Sequence, residues 1–250
     1  MRIISRLDIK GSNLIKGIQL EGLRVIGDPN LYAKKYFDDG ADELLLIDCV
    51  ASLYGRNNLF DIIKKASNEI FIPITVGGGI RSIDDAEKLF LSGADKIAIN
   101  SKAIVEPEII NTLAKNFGSQ AIVASIQAKR LNGSKWFAYY DNGREQSDRN
   151  VIDWATEVQD RGAGEILITS VDKEGTKKGY DMELCEKINS VCEIPVIYSG
   201  GMKSKNDLEQ FKEFSECDAV AVASLLHYNE TSISEIKKFA KDINFNVRIL

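Results

Sequence analysis

Short runs rich in β-branched and other apolar residues alternate along the chain with longer stretches in which apolar residues recur every three or four positions. The runs lie near residues 3–9, 43–48, 71–77, 95–99, 121–126, 165–170, 194–199 and 218–223. They predict strands, and the stretches between them, with one more after the last run, predict amphipathic helices. A helix between successive strands is the crossover that a parallel pair requires, so eight alternations predict an α/β fold with parallel strands. Several helix starts are explicit. Asp28 supplies an N-cap acceptor before Pro29, whose missing N–H costs nothing at the first helical position. Ser82 and Asp85 form a capping-box pattern, with Asp in place of the usual Glu. Ile83, Ala86, Leu89 and Phe90 follow at helical spacing, and Gly93 is a C-terminal stop.

The same pattern occurs twice. GADELLLID from Gly40 resembles GAGEILITS from Gly162, an offset of 162 − 40 = 122. IPITVGGGI resembles IPVIYSGGM, with Pro73 and Pro195 again 122 apart, and Ser82/Asp85 return as Ser204/Asp207 at that offset. SGADKIAINS ends at Ser101 and SECDAVAVAS at Ser224, 123 apart, and LDIK at Leu7 more loosely resembles IQAK at Ile126. Matched segments in order at a nearly constant offset indicate two copies of a four-βα unit. Two fours give a closed (β/α)8 TIM barrel, one domain over 1–250 with halves of approximately 1–119 and 120–250. An open doubly wound sheet predicts no such repeat. Residues 131–150, with Gly133 and Gly143 around Trp136–Tyr140, predict a hairpin insertion after strand five.

A chain of 250 residues suits a single barrel of this kind, and can bury about three quarters of its unfolded surface without disulfide or metal support. The net charge of −5 is spread evenly, which argues against a nucleic-acid surface but leaves room for a local phosphate pocket. Cys49, Cys185, Cys192 and Cys217 form no CxxC pair, and His227 is the only histidine. Neither a metal site nor a Ser/His/Asp triad is expected, and no cofactor. No apolar run reaches the ~18 residues of a membrane span and the N-terminus lacks signal-peptide character, so a cytoplasmic protein with no membrane partner is expected.

In barrels of this type the chemistry lies at the C-terminal ends of the strands. There Gly77-Gly78-Gly79 ends strand three, Asn100-Ser101 strand four, Gly200-Gly201 strand seven and Ala223-Ser224 strand eight, with Gly175 after strand six. Singly, such glycines need only permit tight turns. Duplicated beside Ser101 and Ser224, they predict two phosphate cradles on opposite sides of one mouth. Asp8 ends strand one with no helix after it to cap, which favours a catalytic base. Its repeat-related position is Gln127, which cannot titrate. At the other end Arg2, Glu43, Lys96 and Glu165 each start a strand, and if they point inward, four charges of balanced sign close the bottom as a ring or a gate.

These residues resemble the cyclase subunit of imidazole glycerol phosphate synthase, the HisF-type barrel of histidine biosynthesis that pairs with a glutaminase subunit. The resemblance runs from Arg2 to about Arg248 and includes LDIK, the Lys16-Gly17 loop, GDP at 27–29, DELLLID, TVGGGI, GADKIAIN, FGSQA, RGAGEILITS, GTKKGYD, SGG and ASLLH. It implies that Arg2, Glu43, Lys96 and Glu165 gate ammonia entering from a HisH-type glutaminase docked at the bottom, near Asp95 and Gln120. It implies one phosphate site at Gly79, Asn100 and Ser101, with Gly78 beside them. The other would be at Gly175, Gly201, Ala223 and Ser224, with Gly200. Lys16 would lie on a mobile loop over the substrate, and Asp8 would be one of two catalytic aspartates.

The second aspartate falls at Gln127, the family's cysteine before the Leu-Asp of strand one is Arg6, and a phosphate-site aspartate is Glu174. Losing an acid/base group costs about 10²–10⁴ in rate. The pattern resembles a divergent paralogue of the kind associated with surface-sugar amidation. The expectation is an ammonia-using synthase subunit acting on a phosphorylated substrate, with sugar amidation as its setting. The ordinary cyclase, and a non-catalytic conduit that passes ammonia to a third enzyme, are the alternatives.

Overall fold

In the computed structural model, which describes residues 1–51, 59–214 and 217–249, the strands in chain order are β1 (Arg2–Lys10), β2 (Asn13–Ile18), β3 (Glu21–Gly27), β4 (Glu43–Asp48), β5 (Ile74–Gly77), β6 (Lys96–Ile99), β7 (Ile122–Asn132), β8 (Lys135–Tyr140), β9 (Glu145–Asn150), β10 (Glu165–Ser170), β11 (Val196–Ser199) and β12 (Ala219–Val222). The helices are α1 (Pro29–Asp38), α2 (Phe60–Glu69), α3 (Ile83–Leu91), α4 (Ser101–Val105), α5 (Glu108–Phe117), α6 (Val151–Asp160), α7 (Met182–Val191), α8 (Ser224–His227) and α9 (Ile233–Asp242). Eight strands pair in parallel in the order β1-β4-β5-β6-β7-β10-β11-β12, and β12 pairs with β1 to close the barrel. Closure leaves these strands without a free edge.

Alternation along each strand divides the core. On β1, Ile3, Leu7 and Ile9 face the helices, in one large cluster with Tyr36, Leu44, Leu46, Val76 and Ile97. Ile4 faces the lumen with Leu45, Ala98, Val123, Leu167, Ile197, Ala219 and Ala221, a second and separate apolar cluster. The same parity puts Arg2, Arg6 and Asp8 on the lumen side of β1, below and above Ile4.

The expected helix starts are present. The Asp28 carboxylate accepts the N–H groups of Asn30 and Leu31 at 2.7 and 3.1 Å, with Pro29 opening α1. The Ser82 hydroxyl accepts the Asp85 N–H, whereas the Asp85 carboxylate reaches the Arg81 N–H, one residue before the cap. The related Ser204/Asp207 pair makes a full capping box, but the segment it opens, Lys205–Glu213, is a 3-10 helix.

Two antiparallel excursions stand above the mouth. The one predicted near 131–150 exists, β8 pairing with β7 and β9 with β8. The other was expected as a loop carrying Lys16. It is a hairpin instead, in which β2 pairs with β1 and β3 with β2, and the consecutive residues Leu14, Ile15 and Lys16 of β2 are all buried. Both tips have two consecutive residues at positive φ, Gln19 (53°) and Leu20 (65°) in one, Asp141 (48°) and Asn142 (59°) in the other. The first is the backbone of a two-residue hairpin turn; the second lies in a four-residue loop, 141–144, in which the Arg144 N–H donates to the Tyr140 carbonyl at 3.1 Å.

Candidate active site

The lower ring forms from strand starts. Arg2 Nη1 lies 2.8 Å from Glu43 Oε2 and Arg2 Nη2 pairs with Glu165 Oε1. Lys96 Nζ lies 2.9 Å from Glu43 Oε2 and 2.8 Å from Glu165 Oε2, so two cations and two anions alternate around a closed circuit. Thr75 Oγ1 also donates to Glu43. Both glutamates are buried, while Arg2 and Lys96 keep contact with solvent below. Ion pairs of this kind repay roughly their own desolvation and are weak stabilisers. Their consequence is to close the lumen floor with a circuit of charged groups. Asp95 and Gln120 are exposed on this face, although the Asp95 carboxylate also accepts the Ile74 N–H at 2.8 Å and so pins the start of β5.

Above the apolar lumen layer lies a buried cluster. Arg6 Nε donates to Asp8 Oδ1 at 2.9 Å, and Arg6 Nη1 to Thr169 Oγ1 and Ser199 Oγ, each at 3.0 Å. Lys16 Nζ donates to Asp8 Oδ2 at 3.3 Å and to Glu174 Oε1. Arg6, Asp8, Lys16 and Glu174 are all at most 3% exposed. Burial alone pushes the Asp8 carboxyl up, but Arg6 and Lys16 more than reverse this and hold it well below the usual carboxylate range. Burial pulls the Lys16 ammonium down, and Glu174 and Asp8 reverse that too. Asp8, expected as a base, is in this arrangement an anion with each oxygen taken by a cation. Lys16 is not on an open loop but inside the cluster.

Gln127 stands on β7, opposite β1 in the strand order. Its Oε1 is buried without a hydrogen-bond partner and it lines a cavity of about 240 Å³ together with Asp48, Gly78, Gly79, Asn100 and Ser101. This is the first expected cradle. Gly78 (φ 101°) and Gly79 (φ 73°) turn the chain there. Asn100 Nδ2 donates to the Tyr139 carbonyl at 3.1 Å, and Ser101 Oγ accepts the Asp141 N–H at 3.1 Å, so β8 and its tip fix the rim. Asn100 Oδ1 has no partner.

The second cradle brings together Gly175, Gly200, Gly201, Ala223 and Ser224 as expected, but around only about 20 Å³, with Glu174 and Lys177 in its wall. The hairpin explains the difference. A Cβ on Gly175 would lie 2.2 Å from the Gly17 carbonyl oxygen, and the Gln19 N–H donates to the Glu174 carbonyl at 2.8 Å. The two cradles are thus alike in backbone and unequal in space.

Gly78 allows a direct test of the turn. A Cβ there would meet the Asp48 carbonyl oxygen at 2.4 Å, on a backbone that side chains avoid. Gly78→Ala should lower stability by about 1–3 kcal/mol, read as a shifted urea midpoint at constant slope. An unchanged midpoint would mean that the β4 end yields freely.

Sequence reasoning missed three participants. Thr169 and Ser199 are lumen-facing hydroxyls paired directly across adjacent strands, and parity on their strands was the available signal. The buried His227 lies behind the cluster, its Nδ1 2.6 Å from the Tyr36 hydroxyl, and carried no signal beyond being the sole histidine. Among the described residues no group of three or more His, Cys, Asp or Glu side chains is arranged to hold a metal ion, and no helix is long and apolar enough to cross a membrane.

Comparison with known proteins adds a consistent result. The family model described as "Histidine biosynthesis protein" matches residues 2–232. The protein named imidazole glycerol phosphate synthase subunit HisF in Legionella pneumophila is 57% identical over 211 residues, 84% of this chain and 98% of the relative. Proteins of the same name from Alkaliphilus metalliredigens and Bacillus cereus are 43% and 41% identical over 247 and 248 residues, in each case 99% of this chain and 98% of the relative.

Proposed function

Since the chain belongs to the histidine biosynthesis protein family and is a HisF homologue, we propose that it is the barrel subunit of a glutamine amidotransferase complex. It takes ammonia through its lower ring from a HisH-type glutaminase and uses it on a phosphorylated small molecule at the mouth. The closed Arg2–Glu43–Lys96–Glu165 circuit carries this reading. It leads into a lumen lined by Ile4, Leu45, Val123, Leu167 and Ile197, which suits a small neutral molecule better than an ion. Asp95 and Gln120 belong to the docking face. The phosphate sits at Gly78, Gly79, Asn100 and Ser101, where backbone N–H groups and the start of α4 meet the open cavity. The second cradle takes an anionic group once the hairpin above it lifts.

Two acceptors are favoured by different observations. The names of the relatives favour the histidine-pathway ribonucleotide, cyclised to an imidazole. Gln127 favours an acceptor that needs no second titrating carboxylate, such as an N-acetyl sugar amidated with the help of a third enzyme. Turnover of the ribonucleotide by the purified chain with excess ammonium salt separates them. Imidazole product at an enzyme-like rate assigns the cyclase; its absence from a folded, phosphate-binding chain removes it.

The ring has its own test. With the glutaminase partner, Lys96→Ala should leave glutamine hydrolysis running while product per glutamine falls several-fold. Coupling that stays tight in this variant would remove the gate from the lower ring.

A further inference from the structure

Among the described residues, Arg6 is the buried cation whose side chain crosses the lumen. It starts on β1 and reaches hydroxyls on β11 and β10, two and three strands away in the closed order of eight. Its Nε donates to Asp8 and its Nη1 to both Thr169 and Ser199. The planar fork therefore fixes the carboxylate from one side while two fixed hydroxyls set the plane of the fork. Lys16 takes the other oxygen of Asp8 and is itself held by Glu174, so two cations and two anions neutralise one another out of solvent. Cys49 follows β4, its thiol pushed up by burial, and His227 packs on Tyr36, its imidazole pushed down to about 3 by burial first and Lys16 second. Neither group supplies a charge near neutral pH that could release Asp8.

We propose that Arg6 is the positioning residue that sets the chemistry of this mouth: by spanning the lumen and clasping Asp8 it makes that carboxylate a permanent anchor for Lys16, and withdraws it from proton transfer. The inference rests on the HisF-type reading above and deepens it. Arg6 and Gln127 then act in one direction. One removes the second titrating carboxylate and the other quenches the first. What remains is a site that orients donors through the free Gln127 Oε1, and an acceptor that supplies its own leaving group or is activated elsewhere.

The test compares wild type, Gln127→Asp, Arg6→Cys and the double variant. Each is assayed for turnover of the histidine-pathway ribonucleotide with ammonium salt, and the Asp8 carboxyl is followed by carbon NMR against pH. Gln127→Asp alone should gain nothing measurable. The double variant should gain on the order of 10²–10⁴-fold, the usual size of an acid/base contribution, and Asp8 should titrate at higher pH in Arg6→Cys than in wild type. Equal gains in the single and double variants, or no gain in the double variant, would overturn the proposal. A wild-type Asp8 that titrates in the ordinary carboxylate range would also overturn it, and this measurement decides even where Arg6→Cys fails to fold. Binding of the glutaminase to the same preparations reports separately on the family-level function.

Discussion

Replacing Asp8 by asparagine is expected to destabilise the barrel by about 3–5 kcal/mol, because it leaves Arg6 and Lys16 buried against a single counter-ion. The fully intact cluster itself adds far less, since ion pairing only roughly repays desolvation. The asymmetry between making and breaking is what produces the large number. It also has a pH signature. The native carboxyl sits below its ordinary value, so its contribution is fully present above the unfolded-state pKa and is lost as pH falls from there towards the native one. Denaturation midpoints of wild type and Asp8→Asn should therefore differ most near neutrality and converge in acid. A gap that stays constant with pH would assign the effect to packing instead of charge.

The second large effect is expected at Trp136, 1% exposed on β8. Its indole N–H donates to Asp181 Oδ2 at 3.0 Å, and Asp181 also caps α7 and pairs with Arg130, whose guanidinium lies 4.4 Å from the indole centroid. Trp136→Ala removes a large buried ring and frees a buried carboxylate oxygen, so a loss of about 3–5 kcal/mol follows. The same strand carries Tyr139, whose carbonyl holds Asn100. Affinity for inorganic phosphate should fall with stability in this variant, whereas Trp136→Phe should keep most of both. Phosphate affinity untouched in Trp136→Ala would detach the strand from the cradle.

Much of this was legible in the sequence, for identifiable reasons. A charge at the start of four strands, with period-two alternation, sufficed to place the lower ring. The repeat sufficed for the barrel, and it runs deeper than side chains reveal. Gly78 and Gly200 share φ values of 101° and 98°, and the turn glycines Gly11 and Gly133 share 61° and 55°, each pair 122 apart. The first hairpin was not legible, because its tip, Gln19-Leu20, adopts positive φ without the Asn-Gly signature of its turn. Everything that depends on that hairpin was hidden with it: the burial of Lys16, its contact with Asp8, and the filling of the second cradle. The clasp of Arg6 on Asp8 lay between these cases. Parity put both residues on one face, but the hydroxyls across the lumen appear only when the barrel closes.

The two hairpins carry one more consequence. The hairpin of the first half covers Gly175 in the second, and the strand pair of the second half holds Asn100 and Ser101 in the first. Their tips also touch, Asn142 Nδ2 reaching the Leu20 carbonyl at 3.4 Å, at positions 122 apart in the repeat. Each half therefore owns a cradle and lends its cover to the other. A fragment cut between Gly118 and Gln120 would expose the edges of β1 and β6 and leave its own glycine turns roofless. Two fragments of either kind, related by a two-fold axis, would supply both missing roofs at once. The reciprocity ties the halves to a common fate, since a change that loosens one cover is felt at the turns on the far side.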